Sequence, residues 1–421
     1  MNRKPTVCLL NDSFPPLIDG VANTVVNYAG ELPKLGYESM VITPSHPNAD
    51  DTAFSYPVAR YPSISTQRFE GYPAGIPFSP EVAGRIKNKD VALLHTHCPV
   101  MSTFMARQLR QITKAPIVFT YHTKFDVDIA NITKSPSLQA ACKKALVSNV
   151  SACDEVWAVS HGAGENLRSL GYEGDYIVMP NGVDLPRKRA TDQQIAAETG
   201  KYDLPQDVPV YLFVGRMMWY KGLKIILDAL ASLQSKKHDF RMVFIGNGED
   251  RTEIESYARA CGIQNRCLFP GAIRDREALR AWYSRADLFL FPSSYDTNGL
   301  VVREAAASSL ASVLIRGSCA AEGVTDGHNG FLIEEDPQSL AQCLQGLTKQ
   351  KMVAVGQAAS CELYISWEDA VKCATDRYAT VIENHANGVH GRHLKPMEGI
   401  MKMNGELMEA LAKLTALCHR R

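Results

Sequence analysis

The sequence predicts an α/β protein of two facing, doubly wound, Rossmann-like parallel sheets, followed by C-terminal helices. Three observations lead to this fold class. The chain has 421 residues, and a single core rarely grows beyond roughly 250–300 residues. Short β-branched runs alternate with amphipathic stretches, which is typical of parallel strands joined by helices. Residues 185–208 interrupt this alternation with a polar, proline-containing stretch, after which a second series of strands begins.

The first series contains expected strands at residues 6–10, 39–43, 91–95, 117–121, 156–160 and 176–179. Two clear amphipathic helices lie between them, at 22–35 and at 100–113. Gly36 ends the first of these patterns, as glycine commonly does after a helix.

The second series contains expected strands at residues 210–214, 241–245, 267–270, 288–291, 312–315 and 331–333. Each series is long enough for one doubly wound sheet. The predicted domains are therefore 1–190 and 191–366. A helical segment, 367–421, follows, and its first part is expected to cross back to the N-terminal domain.

The composition excludes several classes of protein. A hydrophobic fraction of 45% and a charged fraction of 21% are unlike those of a disordered or collagen-like chain. Lys+Arg and Asp+Glu both number 45, and zero net charge argues against a general nucleic-acid binder. The eleven cysteines form no Cys-x-x-Cys pair, which favours free thiols in a reducing cytosol. Apolar runs are too short to span a membrane, so we expect a cytoplasmic protein.

Candidate site residues follow the predicted strands, because ligands of doubly wound sheets bind beyond the carboxyl ends of the strands. Two facing sheets would form a deep cleft there. Gly20 precedes a helix, where it could let a backbone N–H approach a phosphate or could be an ordinary turn glycine. The Gly-x-Gly-x-x-Gly fingerprint is absent at this turn, which argues against a dehydrogenase.

Two cations follow the first strand of the second series. Arg216 comes directly after Gly215, and Lys221 precedes Gly222 and a predicted helix. A nucleotide diphosphate leaves with negative charge that cations or a metal must stabilise. Arginine can bind a diphosphate in a bidentate way, and lysine acts as a point charge. The alternative is that both side chains are ordinary solvated cations.

Two acidic residues, Asp296 and Glu304, follow the expected strand at 288–291. A helix that begins near Leu300 would direct its first N–H groups at an anion. Asp296 could then accept hydrogen bonds from sugar hydroxyls, and Glu304 could reach a ribose. Interaction with the helix dipole explains the same pair, so the pair alone does not decide the function.

Histidines end two neighbouring strands of the first series, His95 and His97 one strand and His122 the next. A histidine there can donate to a sugar hydroxyl or titrate near neutral pH. A metal site at His95 and His97 is disfavoured, because two ligands are too few. Asp126 and Asp128 form an Asp-x-Asp that could hold a metal and a diphosphate, but surface charge is the simpler interpretation.

In this order the segments resemble the retaining glycosyltransferases of family 4, which have the two-domain GT-B fold. The resemblance runs over nearly the whole chain. Several short motifs occur in the same order as in the family, and together they are far more specific than any one of them. The matching motifs are Pro-Pro-x-x-x-Gly-Val ending at Val21, Tyr121-His122-Thr123, Pro180-Asn181-Gly182-Val183-Asp184, Gly215-Arg216, Lys221-Gly222, Phe269-Pro270-Gly271, Pro292-Ser293, and Asp296 with Glu304.

The resemblance implies that the N-terminal domain binds the acceptor and that the C-terminal domain binds a nucleotide-diphosphate sugar. Arg216 and Lys221 then neutralise the leaving diphosphate, so no metal or other cofactor is required. His122 contacts the transferred sugar, and Asp296 holds its hydroxyls. The implied donor-binding positions are Gly20, whose loop closes on the phosphates, Gly215, Asn298, Gly299, Leu300, Val301 and Glu304. The implied acceptor-side positions are His95, His97 and Asp126.

The family's chemistry retains the anomeric configuration, and we expect same-face attack assisted by the departing diphosphate oxygen. The sequence departs from the family at Asp296, where glutamate is usual. It departs again at Asn298, where an aromatic residue usually precedes the glycine. These departures leave the identity of the donor sugar open.

The acceptor is suggested by residues 95–99 and 121–123, which look most like the branch that glycosylates diacylglycerol or related membrane lipids. A basic and apolar helix could bind a membrane surface or be an ordinary amphipathic helix; its residues are Lys134, Leu138, Lys143, Lys144 and Leu146. The apolar face of the tail could pack on a domain, form a dimer or contact lipid; its residues are Met401, Leu407, Leu411 and Leu414.

The first hypothesis is transfer of glucose from UDP-glucose to a membrane lipid such as diacylglycerol, by an enzyme associated peripherally with the membrane. The second is a GDP-mannose-dependent or other hexosyltransferase with a soluble or glycan acceptor. The third is a sugar-nucleotide-binding protein without activity, which the change at Asp296 could permit. The oligomeric state is left open.

Overall fold

A computed structural model describes residues 4–17, 19–64, 72–389 and 395–418, and it confirms the α/β fold class. The chain divides into two compact units. The first unit comprises Met1–Pro180 and Trp367–Arg421, and the second comprises Asn181–Ser366. Each unit has a parallel sheet and its own buried apolar core.

The strands are β1 Thr6–Leu10, β2 Glu38–Pro44, β3 Val58–Tyr61, β4 Ser63–Ile64, β5 Ala74–Gly75, β6 Val91–Thr96, β7 Ile117–Tyr121, β8 Glu155–Ala158, β9 Ile177–Val178, β10 Val210–Val214, β11 Arg241–Ile245, β12 Cys267–Gly271, β13 Leu288–Phe291, β14 Ser312–Ile315 and β15 Phe331–Ile333. The α-helices are α1 Gly20–Glu31, α2 Pro80–Lys87, α3 Met101–Thr113, α4 Phe125–Ile132, α5 Pro136–Val150, α6 His161–Ser169, α7 Asp192–Thr199, α8 Leu223–Ser235, α9 Arg251–Ala260, α10 Arg276–Arg285, α11 Leu300–Ala307, α12 Pro337–Gly346, α13 Lys349–Glu362, α14 Trp367–Ala386 and α15 Lys395–Cys418.

Both large sheets are doubly wound. The strand order is β3-β2-β1-β6-β7-β8-β9 in the first unit and β12-β11-β10-β13-β14-β15 in the second. Neighbouring strands within each are parallel, whereas β4 and β5 form a separate antiparallel pair. The order reverses between β1 and β6, and again between β10 and β13. These are the topological switch points, where ligands of such sheets bind.

The central strands are buried along their whole length, as expected for parallel strands that are covered on both faces. The edge strand β3 is absent from the sequence prediction. It has only four residues, and Arg60 within it is the one that is not fully buried, so its apolar pattern is too short to distinguish it from a loop.

The first connecting helix ends earlier than its hydrophobic pattern. The α-helix stops at Glu31 and continues as a 3₁₀ turn over Leu32–Leu35, which ends at Gly36 with φ +93°. Pro33 has no N–H to donate to the carbonyl of Ala29. The Ser39 hydroxyl donates to that carbonyl instead, at 2.7 Å.

The division between the units falls after Pro180, whereas the sequence analysis placed it near residue 190. The intervening segment is held by the second unit. Leu185 belongs to the apolar core of that unit, and the backbone N–H of Ala190 donates to the Ser284 hydroxyl at 2.8 Å. A polar, proline-containing composition therefore did not mark the end of the first domain.

The C-terminal helices belong to the first unit. On α14, Tyr378 stacks on Trp157 with 5.5 Å between the ring centroids. On α15, Glu398 accepts a hydrogen bond from the buried Arg107 of α3 at 2.9 Å. No helix among the described residues is long and apolar enough to cross a membrane.

The predicted apolar face of the tail is divided between two sides of α15. Met401 and Met408 are buried, and Met408 joins the core of the first unit. Leu407 and Leu411 lie on another side of the helix and are exposed. The side chain of Leu414 lies outside the described residues. Packing within the first unit therefore uses Met401 of the predicted face and leaves Leu407 and Leu411 exposed.

Candidate functional site

The residues that the sequence analysis selected lie at the carboxyl ends of strands beside the two switch points. In the second unit, Arg216 follows β10 and Asp296 follows β13. In the first unit, Gly20 follows the loop after β1, His97 follows β6, and His122 follows β7. Each unit therefore presents its candidate residues where the sheet topology predicts a ligand.

Lys221 and Asp296 form an ion pair at the switch point of the second unit. Lys221 Nζ lies 2.6 Å from Asp296 Oδ1, and the Ser293 hydroxyl donates to Asp296 Oδ2 at 2.6 Å. The side chain of Lys221 is 9% exposed and that of Asp296 is 20% exposed. The ammonium group of Lys221 is thus held at the carboxyl end of β13, where an arriving anion could share it with Asp296.

Gly222 fixes the position of the Lys221 loop against β13. Its φ is +77°, in the left-handed region that favours glycine, and a Cβ there would lie 1.8 Å from the carbonyl oxygen of Pro292. Both the backbone conformation and the close approach require glycine at position 222, so the Lys-Gly pair seen in the sequence has a structural role. It brings the lysine side chain to Asp296.

Arg216 differs from Lys221 in its surroundings. The residue is exposed, and its guanidinium makes no hydrogen bond or ion pair with any described residue. An unpaired guanidinium beside a buried lysine makes this end of β10 electropositive. Such an arrangement is suited to a phosphate group, which arginine can bind with two parallel N–H donors.

The N-terminus of α11 lies beside this pair. Gly299 caps the helix with φ +59°, and a Cβ there would come within 2.9 Å of the Ala320 Cβ. The preceding residue, Asn298, is 9% exposed, and neither its side-chain oxygen nor its nitrogen has a partner among the described residues. A buried amide without partners costs on the order of 1–3 kcal/mol, which a polar ligand at this helix end would offset.

Glu304 lies one turn into α11 and is buried. Its two oxygens accept hydrogen bonds from Arg276 Nη2 at 2.7 Å and from the Tyr283 hydroxyl at 2.9 Å. A carboxylate has roughly four acceptor sites, so each oxygen can still accept a ligand hydroxyl. Arg276 and Tyr283 were not among the predicted site residues, because they lie on α10, 28 and 21 positions before Glu304, and reach it only in the folded unit. Ser293 was noted only as part of a motif, and its hydrogen bond to Asp296 was not predicted.

Three histidines cluster in the first unit. His97 Nδ1 lies 3.0 Å from His122 Nε2, and the rings of His95 and His97 lie 4.0 Å apart. Both nitrogens of His95 are bonded within the unit, Nδ1 to the Tyr378 hydroxyl at 2.6 Å and Nε2 to the Thr120 hydroxyl at 2.7 Å. All three side chains are buried. The predicted acceptor-side role of His95 and His97 stays a prediction.

Burial keeps the three histidines neutral. It lowers the pKa of His122 to about 3, and it lowers the pKa values of His95 and His97 well below 6.5. At neutral pH each ring therefore has one nitrogen that donates and one that accepts. His122 can orient a hydroxyl group by a hydrogen bond, but it carries no charge to stabilise an anion.

Acidification is expected to destabilise the first unit. An unfolded histidine binds a proton near pH 6.5, whereas folded His122 does so only near pH 3. Stability that is fully present above about pH 6.5 is therefore lost as the pH falls, by about 1.4 kcal/mol per pH unit for each buried histidine. Below pH 6.5 the free energy of unfolding, measured by thermal unfolding, should fall less steeply with pH in His122→Asn than in the native chain. Two results would contradict a role of buried His122 in this pH dependence. One is a native slope of stability against pH in His122→Asn, and the other is an equally reduced slope in His46→Gln, which lies outside the cluster.

Gly20 and Asp126 have different surroundings. A Cβ at Gly20 would meet no atom of the described protein within 4 Å, so packing within the chain does not require glycine there. Asp126 accepts a hydrogen bond from Asn166 Nδ2 at 3.2 Å, which ties α4 to α6. Among the residues that the structure describes, no group of three or more His, Cys, Asp or Glu side chains could hold a metal ion.

Comparison with protein families identifies both halves of the chain. Residues 18–187 match the family model described as Glycosyltransferase Family 4, and residues 194–359 match the model described as Glycosyl transferases group 1. The chain belongs to glycosyltransferase family 4. Its switch-point cations and acids are therefore the candidate active site of a transferase, and the predicted family is confirmed.

Similar enzymes have different donors and acceptors. This glycosyltransferase is 25% identical to a GDP-mannose-dependent alpha-mannosyltransferase of Corynebacterium glutamicum, over 79% of this chain and 77% of the relative. It is 23% identical to the alpha-monoglucosyldiacylglycerol synthase of Acholeplasma laidlawii, over 78% of this chain and 85% of the relative. The family assignment thus establishes the class of enzyme and leaves the substrates to be inferred.

Solved structures confirm the fold of this glycosyltransferase. HepE of Anabaena, crystallised in complex with UDP, has a TM-score of 0.69 at 18% identity, over 89% of this chain and all of that chain. Identity this low supports the fold alone. The fold is that of the GT-B glycosyltransferases.

Proposed function

We propose that this glycosyltransferase transfers glucose from UDP-glucose to a hydroxyl of a membrane lipid such as diacylglycerol, with retention of the anomeric configuration. The observation that carries the proposal is the cation arrangement at the switch point of the second unit. Arg216, which has no partner among the described residues, lies in the same loop as Lys221, the cation of the Lys221–Asp296 ion pair. This arrangement suits the departure of a diphosphate with its sugar held beside it.

The donor binds to the second unit. Arg216 grips the diphosphate in a bidentate way, and Lys221 shares its charge between Asp296 and the phosphates. The N–H groups of the first turn of α11, at Leu300 and Val301, cap the same phosphates. Two cations and a helix N-terminus can together stabilise the leaving diphosphate, so the reaction is proposed to need no metal.

The hexose is held by Asp296 and the ribose by Glu304. The carboxylate of Asp296 has acceptor sites beyond those used by Lys221 and Ser293, and they are available to the sugar hydroxyls. Asn298 adds an unpartnered amide next to the cap of α11, and we assign it to the donor as well. Because Asn298 replaces the family's aromatic residue, the part of the donor near this amide is polar.

The acceptor attacks the same face of the sugar that the diphosphate leaves. In this scheme the anomeric C–O bond to the diphosphate breaks as the acceptor oxygen forms its bond, and the acceptor proton passes to the departing phosphate oxygen. His122 orients the transferred sugar as a neutral hydrogen-bonding group. The rate enhancement then comes from charge stabilisation and from positioning.

The lipid acceptor is supported by the monoglucosyldiacylglycerol synthase relative and by the surface formed by α5 and the segment just before it, which contains Lys134. Lys134 and Lys144 are exposed, and Leu138 is 51% exposed. Leu146, which the sequence analysis grouped with them, is buried in the core of the first unit and is not part of this surface. Basic side chains beside an exposed leucine can bind an anionic membrane peripherally.

A transfer assay with several donors and acceptors tests the proposal. UDP-glucose, UDP-galactose and GDP-mannose are each supplied with anionic vesicles that contain diacylglycerol, with vesicles that lack it, and with a soluble polyol. We expect glycolipid only from UDP-glucose with diacylglycerol vesicles, in the presence or absence of a chelator. The anomeric proton coupling of the product should match that of the donor.

A surface variant separates membrane binding from chemistry. Lys134→Glu with Lys144→Glu should weaken vesicle sedimentation and lipid transfer and leave UDP binding unchanged. Charge reversal at Lys236, which is exposed on the second unit, is the matched control.

The other outcomes select different functions. Glycoside formation from GDP-mannose would support the mannosyltransferase alternative, which the mannosyltransferase relative favours. Binding of sugar nucleotides without turnover of any pair would overturn both transferase proposals in favour of a binding protein. Loss of activity with a chelator would contradict the metal-independent mechanism.

A further inference from the structure

Two side chains of α10 hold the carboxylate of Glu304. Arg276 Nη2 donates to Oε1 at 2.7 Å, and the Tyr283 hydroxyl donates to Oε2 at 2.9 Å. Arg276 and Tyr283 are seven positions apart, which is about two turns of an α-helix, so they lie on the same side of α10. Each oxygen of the carboxylate therefore has its own donor, and both donors come from one helix.

Both donors are themselves fixed in place. Tyr283 is fully buried, and its ring packs against Phe289 of β13 with 5.7 Å between the ring centroids. Burial raises the pKa of Tyr283 well above 10, so the hydroxyl keeps its proton at neutral pH and donates. Arg276 is the first residue of α10, and its Nη2 is also 3.9 Å from Asp184 Oδ2. A second carboxylate near the same nitrogen restrains the guanidinium.

This arrangement fixes the plane of the Glu304 carboxylate. The terminal torsion of a glutamate is broad, so a carboxylate without partners can rotate. Donors on both oxygens remove that freedom and use one acceptor site on each, which leaves a further site on each oxygen for a ligand. The Glu304 side chain is 12% exposed, so a ligand can reach part of it. Two acceptor atoms that are held in one plane suit a pair of neighbouring hydroxyls.

We propose that Arg276 and Tyr283 are positioning residues that orient Glu304 to accept both ribose hydroxyls of a nucleoside diphosphate, and that the donor site thereby selects ribonucleotides over deoxyribonucleotides. This inference rests on the proposed role of Glu304 in donor binding. It adds how the carboxylate is held and which nucleotides it rejects, because a sugar without these hydroxyls leaves the oriented acceptor sites unpaired. All the residues involved belong to the second unit.

Calorimetric titration with UDP, 2′-deoxy-UDP and 2′,3′-dideoxy-UDP tests the proposal. The native chain should bind UDP about 10–100-fold more tightly than 2′-deoxy-UDP, as expected for one hydrogen bond to a charged group, and should bind the dideoxy compound more weakly still. If GDP binds in place of UDP, the guanosine series is used, since the ribose is the same.

Arg276→Ala and Tyr283→Phe should each weaken this discrimination. The preference for UDP over 2′-deoxy-UDP should fall below about fivefold, because a carboxylate that can rotate accepts the hydroxyls less well. The affinity for 2′,3′-dideoxy-UDP, which has no hydroxyl for Glu304, should stay within about twofold of the native value. Tyr283→Phe keeps the ring that packs on Phe289, so it tests the proposal even if Arg276→Ala does not fold.

A double variant separates positioning from a merely structural role. Glu304→Gln should lose most of the discrimination, and adding Arg276→Ala to it should change the nucleotide preference no further, because Arg276 acts through Glu304. Tyr257→Phe is the matched control. It removes a hydroxyl that donates to Asp228 at 2.7 Å elsewhere in the second unit, and it should keep the native preference.

The proposal is overturned if the native chain binds the three nucleotides equally, or if Arg276→Ala and Tyr283→Phe both keep the native preference. An equal weakening of all three nucleotides with a lowered Tm would make the two residues structural only. Discrimination by a native chain that transfers no sugar would overturn the proposed function and leave the positioning role standing. A native chain that binds neither UDP nor GDP would overturn both.

Discussion

Replacement of Lys221 by alanine is expected to lower the kcat of glycosyl transfer at least ~10²-fold, in line with the loss of one charge-stabilising group at the leaving diphosphate. The ammonium group is the charge partner of Asp296 at 2.6 Å. Its removal therefore affects both the diphosphate and the carboxylate that holds the hexose. Steady-state kinetics with a saturating acceptor measure the effect.

Two further variants show whether this effect belongs to the site. Lys224→Ala removes an exposed lysine from the next turn, where it pairs with Asp228, and should retain native kcat. Lys221→Arg keeps the charge in a different shape and should be intermediate. In Lys221→Ala the Ser293 hydroxyl still donates to Asp296, so the chain should fold with a loss on the order of 1–3 kcal/mol. Native turnover in Lys221→Ala would remove Lys221 from the catalytic machinery.

Replacement of Arg216 by alanine is expected to lower kcat by ~10²–10³-fold without a change in stability. The guanidinium is exposed and has no partner among the described residues, so its removal should alter the free energy of unfolding by less than about 0.5 kcal/mol. The loss of activity can then come only from the ligand. Kinetics together with a thermal melt of the same preparation measure both quantities.

Arginine geometry can be tested at the same position. Arg216→Lys keeps the charge but cannot make two parallel hydrogen bonds to phosphate, and it should recover only part of the activity. Arg259→Ala, at an exposed arginine on α9, is the matched control and should behave as the native chain. A lowered Tm in Arg216→Ala, or full activity in Arg216→Lys, would contradict the proposed bidentate contact.

Much of the fold could be predicted because its signals are local. The strands at 210–214, 241–245, 288–291 and 312–315 occur at the predicted residues, since a buried parallel strand is a continuous apolar run. The edge strand β3 was missed because four residues form too short a pattern. The unit boundary was misplaced because the packing of Leu185 on the second core is a tertiary contact, which composition does not report.

The candidate site was predicted as a set of positions and not as a set of interactions. Arg216 and Lys221 look alike in the sequence, five positions apart in one loop. In the structure Lys221 is buried against Asp296, whereas Arg216 is exposed and has no partner in the part of the chain that the structure describes. The difference depends on β13 lying next to β10, which brings together residues 75 positions apart.

For the histidines too, the sequence predicted the positions and the tertiary structure determined the interactions. The sequence by itself determined that His95, His97 and His122 end neighbouring strands, that two parallel sheets carry the chain, and that cations and acids follow the strands of the second sheet. Only the tertiary structure decided that His95 is bonded at both nitrogens and that His97 is bonded to His122. Strand ends are set by local hydrophobic patterns. Hydrogen-bond partners depend on which distant segments pack together, and α14 supplies one of them from 283 positions away.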